Sequence, residues 1–131
     1  MHWRTVFLRH HVVPSSRRPA GMIDIEKQVA FWRDGAQEDL TVAEELLEWG
    51  RVRHGLFFLH LALEKILKAH VCRQTRDLAP RVHNLVRLAE LAETHLPEQY
   101  MDTLAEMNRF AMVGRYPDLL FPLPTLAESR V

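Results

Sequence analysis

The chain of 131 residues has a single cysteine, Cys72, which excludes an internal disulfide and a cysteine-built metal cluster. A reducing, cytoplasmic compartment is the expectation, with Cys72 an inert, half-buried helix residue. No apolar run approaches the ~20 residues that a bilayer requires, so no membrane association is expected. Strand signals are poor, and there is no internal repeat or low-complexity segment. A glycine-rich phosphate loop, a Ser-His-Asp order and a Cys-His pairing are all missing. Nucleotide hydrolysis or acyl transfer by this chain alone therefore has no support. Formal net charge is zero, which argues against a protein that coats nucleic-acid duplexes, because phosphate binding scales with the number of positive groups.

Helical spacing fills what remains after Met22. Ile25, Val29, Trp32, Ala36, Leu40, Ala43 and Leu47 recur at intervals of three and four, one stripe of a long first helix. Asp24 is its expected N-cap and Gly50 its C-terminal glycine, with a kink allowed at Gly35. A second helix runs from near Arg53 to about Arg73 and stops before Pro80. A third starts at Asn84 and uses Leu85, Leu88, Ala89, Leu91, Ala92 and Leu96. Pro97 suits the first turn of a fourth, which carries Tyr100, Met101, Leu104, Met107, Phe110 and Ala111 and closes at Gly114. The expected fold is all-α: an up-down antiparallel four-helix bundle over residues 23–131, with a short irregular or partly helical C-terminal tail. Residues 1–22 read as a loosely ordered leader, basic and without acids, with Met22 the expected functional start.

Zero net charge conceals a segregation. Asp34 to Glu48 holds six acids and no base, whereas Arg51 to Arg87 holds eight Lys or Arg against Glu64 and Asp77. Either the helices neutralise one another or one face attracts an anion. On the second helix Arg53, His60, Glu64 and Lys68 share a stripe, expected to be its polar side. Leu59, Ala62, Leu63, Ile66 and Ala69 cover the opposite, core side. Phe57 and Leu61 interrupt the polar arc, which predicts a second contact such as a partner subunit. His60 and Glu64 at i, i+4 have metal-ligand spacing, but no Glu-x-x-His completes a bundle site and Lys68 repels a cation. No metal is expected; the Glu64–Lys68 ion pair is.

"ALEKILKAH", preceded by "RHGLFFLHL", resembles the second-helix signature of HEPN domains (higher eukaryotes and prokaryotes nucleotide-binding). "EDLTVAEELL", with Asp39 and Leu40, resembles that family's first helix. "HNLVRLAE" is similar to its histidine-led third helix, and "RYPD", Arg115 to Asp118, to the element after its fourth. Together they span Ile25 to Asp118.

The resemblance implies a helical bundle that dimerises, commonly beside a minimal nucleotidyltransferase as a toxin–antitoxin or substrate-binding module. Other branches are metal-independent ribonucleases with an Arg-x(4–6)-His motif near the last core helix. This chain departs from that pattern, since "FAMVGRYPD" follows Arg109 without a histidine. Arg53/His60 and Arg76/His83 have Arg-x6-His spacing, but elsewhere in the fold. The expectation is thus a homodimer that recognises nucleotide or RNA as the non-catalytic partner of a nucleotidyltransferase, with no cofactor and no chemistry of its own. A ribonuclease toxin and a structural dimerisation module are the alternatives.

Asp39 should point into the bundle, where a carboxylate needs a partner; Lys65 and Arg115 are the candidates. The anion-binding set is Lys65, Lys68, His83 and Arg115, with Tyr116 for base stacking. Asp39 and Glu64 are expected to anchor structural ion pairs.

Overall fold

The computed structural model describes residues 22–115, with side chains through Ala111. The leader and the tail from Tyr116 onward lie outside the described residues. Four helices make up the fold and no strand occurs among the described residues: α1 (Ile25–Glu48), α2 (Val52–Thr75), α3 (Leu85–Leu91) and α4 (Glu98–Arg115). The all-helical bundle expected from the spacing is what forms.

Local chemistry sets most helix ends. The Asp24 carboxylate accepts the Lys27 N–H at 3.1 Å, satisfying a free donor of the first turn of α1. At the other end Gly50 takes a positive φ of 76°. Its N–H bonds Leu47 O, and the Arg51 N–H bonds Leu46 O at 2.8 Å, the paired closure that glycine permits. The Asn84 side chain caps α3 through the Arg87 N–H at 3.1 Å.

Three expectations need correction. Helix α3 stops after Leu91 rather than running to Leu96, because Glu93 turns left-handed at φ 52°. The Thr94 N–H and hydroxyl then both reach Ala89 O. The Pro97 carbonyl accepts the Met101 N–H, so Pro97 precedes α4 instead of sitting in its first turn. And α4 passes through Gly114 to Arg115.

Helix α2 is the spine. Helix α1 packs antiparallel along it, with Leu47 beside Gly55 at one end and Ile25 and Val29 against Ala69 and Cys72 at the other. The loop after α2 doubles back, so that His83 stands beside Glu64 and Glu93 beside Gln74. Helix α4 then returns along α2 to place Asn108 beside His60. The main core, with Leu85 and Leu88 fully buried, is shared by α2, α3 and α4. Helix α1 is continuous through Gly35, and the lost side chain has a use. A Cβ there would stand 3.2 Å from Lys65 Cδ, so glycine leaves room for that lysine to cross.

Candidate functional site

Enclosure of α2 on several sides keeps Ala62 and Ala69 buried on the expected core side but overturns the expected polar side. His60, Glu64 and Lys68, read as the polar side, are only 5, 6 and 5% exposed. Leu59, Leu63 and Ile66, read as core, are half-buried and with Leu40 line an apolar groove between α1 and α2. Arg53 is exposed at the start of the helix, and Phe57 is 39% exposed.

The buried groups form one network centred on Glu64. Its Oε2 lies 3.1 Å from Lys68 Nζ and 3.0 Å from His83 Nδ1, while Oε1 is 3.8 Å from His60 Nδ1. A buried carboxylate costs several kcal/mol unless compensated, and Lys68 compensates it here. The Lys68 ammonium also sits 5.0 Å from the centre of the Trp32 ring, which ties α1 to the same charge.

Asn108 on α4 extends the network. Its Oδ1 accepts the backbone N–H of Leu85 at 3.0 Å and lies 3.3 Å from His60 Nε2. Because Leu85 N–H can only donate, the oxygen assignment is fixed and His60 must donate from Nε2. The Asn108 amide then donates to Asn84 Oδ1 at 3.0 Å, the atom that caps α3. One asparagine therefore joins α2, the start of α3 and α4. It was not among the residues singled out from the sequence. The signal was there: Asn108 falls on the apolar stripe of α4, four residues after Leu104 and three before Ala111.

The second charged pair joins α1 to α2. Lys65 Nζ is 2.7 Å from Asp39 Oδ2, the side chains being 25% and 12% exposed. Asp39 thus points into the bundle and finds one of its two expected partners. The other, Arg115, ends α4, and its side chain lies outside the described residues, as does Tyr116. Of the expected anion-binding set, Lys65 and Lys68 are held by carboxylates, and Lys68 is closed off from solvent. His83 differs: its side chain is 67% exposed while its ring nitrogen reaches the buried Glu64. Around it the chain carries Arg76, Arg81 and Arg87, all exposed.

The pairs with Arg-x6-His spacing separate by burial. His60 is enclosed and committed to Asn108, about 10 Å along α2 from exposed Arg53 at the usual helical rise. Arg76 and His83 are both exposed. Cys72 proves fully rather than half buried, and that burial chiefly pushes its thiol up to about 11. Among the described residues no group of three or more His, Cys, Asp or Glu side chains is arranged to hold a metal ion.

A family model for the HEPN domain matches residues 29–130, most of the chain. The protein belongs to the HEPN domain family. No curated protein and no solved structure matches the chain. The HEPN match takes in all four helices bar the first turn of α1, so the Glu64 network lies wholly inside it. Membership implies a nucleotide- or RNA-binding module. No described helix is long and apolar enough to cross a membrane.

Proposed function

We propose that this HEPN protein recognises a nucleotide or RNA and works as a homodimer beside a nucleotidyltransferase subunit that supplies the transfer chemistry, in the manner of a two-part toxin–antitoxin system. The observation that carries the binding part is His83, an exposed imidazole seated on a buried, charge-balanced Glu64–Lys68 pair. Such seating fixes the ring and leaves its outer edge for a ligand. Lys68 supports the site from beneath through Glu64, Lys65 stands at the neighbouring α1–α2 seam paired with Asp39, and Arg115 and Tyr116 are further ligand candidates. Burial of His60 and its contact with Asn108 put the Arg53/His60 pair out of reach of a substrate, which favours recognition over cleavage by that pair.

Affinity purification from native cells, with identification of bound proteins and nucleotides, tests the whole reading. Co-purification of a nucleotidyltransferase is expected. Recovery of the chain without one, at native expression, removes the partnership. RNA cleavage by the purified protein that disappears in His60→Ala or His83→Ala, with the helical circular dichroism unchanged, would replace this reading with the ribonuclease one.

A further inference from the structure

We infer that the His83–Glu64 pair is a receptor for a terminal phosphate and tells a phosphomonoester from an internal phosphodiester; this rests on the nucleotide- or RNA-binding reading above. A carboxylate can only accept, so the proton at the 3.0 Å contact belongs to His83 Nδ1 in either charge state of the ring. A second proton then has one place to go, Nε2, on the far side of the ring and on a side chain 67% exposed. Among the described residues nothing hydrogen-bonds that nitrogen. The imidazolium formed there presents an outward N–H donor whose direction is set from below.

Glu64 itself is firmly held. Its side chain is 8% exposed, and Lys68 shares the same oxygen from one turn further along α2. His60 faces its other oxygen at 3.8 Å. Helix α4 contributes the uncharged Asn108 behind His60, and α1 contributes Trp32 against Lys68. Glu64 and Lys68 offset each other, so the charge shown to solvent is that of His83 together with the arginines near it in the chain. Arg81 makes no ion pair among the described residues, whereas Arg87 has Glu90 at 3.8 Å. Arg81, exposed and two residues before His83, puts a guanidinium in the same loop, with exposed Asp77 at the loop's other end.

A terminal phosphate carries a second charge once its second proton, with a pKa of about 6, is lost; a diester never does. Charge-assisted bonds to the dianion are the stronger ones. Two opposed titrations follow. The pair that binds is the phosphate dianion with the imidazolium, so monoester affinity passes through a maximum between the acid that protonates the phosphate and the base that neutralises the ring. Diester affinity lacks the rising limb and only falls.

The test is calorimetric titration of the full chain with a single-stranded oligoribonucleotide of about ten nucleotides, bearing either a 5′-phosphate or a 5′-hydroxyl, across the range in which histidine changes charge, about pH 5 to 8. The phosphorylated strand should bind about tenfold more tightly at the maximum. His83→Gln should abolish that preference, so that both strands bind equally and each more weakly than to the unaltered chain. Arg81→Ala should reduce the preference while leaving the maximum in place, and melting curves report whether each variant is folded. Equal binding of the two strands, or a preference that survives His83→Gln, overturns the phosphate receptor and leaves nucleic-acid recognition standing. If neither strand nor adenosine 5′-monophosphate binds, the recognition reading falls as well.

Discussion

The seam between α1 and α2 and the seam between α2 and the α3–α4 pair use polar groups in opposite ways. Along the first, Lys65 and Asp39 pair at a partly open edge, and close approach comes from missing side chains at Gly35 and Gly55. Along the second, Glu64 and His60 are buried and Asn108 half-buried, against a core with Leu85 and Leu88 fully enclosed. Water can reach Lys65 if its partner is lost at the first seam, but not Lys68 at the second. The same residue chemistry should therefore be worth far more on one side of α2 than on the other.

The largest effect expected is at Glu64. Glu64→Ala strands the Lys68 ammonium in a dry site and removes the anchor of His83, which should cost about 3–5 kcal/mol in urea unfolding. Replacing Lys68 with Met in the same chain should recover much of that loss, because the stranded charge goes with it. If the double variant is no more stable than Glu64→Ala, the cost belongs to the lost His83 and His60 contacts rather than to the buried charge.

Asn108→Ala comes next. It deprives the Leu85 N–H and His60 Nε2 of their acceptor at once, and an unsatisfied buried donor costs about 1–3 kcal/mol. Hydrogen exchange should show the loss spreading to the Leu85 amide at the start of α3. A change confined to α4 would mean that the asparagine ties nothing together.

Gly55→Ala probes the first seam where it is tightest. A Cβ there would lie 2.7 Å from Leu47 Cγ and Cδ2 and 3.3 Å from the Leu47 backbone nitrogen. Leu47 is buried and has little space to yield, so overpacking of about 1–3 kcal/mol should outweigh the better helix propensity of alanine. A stabilised variant would mean that the two helices slide apart at little cost.

Much of the first seam was legible in the sequence. The stripe from Ile25 to Leu47, the caps at Asp24 and Gly50 and the inward direction of Asp39 all follow from local rules that the fold obeys. The second seam was legible only in part. Asn84 announced itself as a cap, but a wheel drawn on α2 alone assigns one core face, and it put His60, Glu64 and Lys68 on the wrong side of that line. What it lacks is the loop that doubles back and brings α3 and α4 onto the charged stripe. The early end of α3 was illegible for a different reason. Glu93 and His95 adopt positive φ without glycine, and no residue type there advertises it.

The smallest expected effect gives the sharpest contrast. Asp39→Ala breaks the shortest ion pair of the described residues, at 2.7 Å, yet should cost no more than about 1 kcal/mol in urea unfolding. The reason lies in exposure rather than distance. Lys65 Nζ, freed from Asp39, is on a side chain already 25% exposed and can turn to water, whereas Lys68, at 7%, has no such route. Adding salt should narrow the difference between wild type and Asp39→Ala, since the Lys65 end of the pair is partly open to screening although Asp39 is buried. The gap between wild type and Glu64→Ala should be nearly unmoved by the same salt. If both variants lose equal stability, burial does not distinguish the two seams, and the seating of His83 on a specially protected carboxylate loses its physical basis.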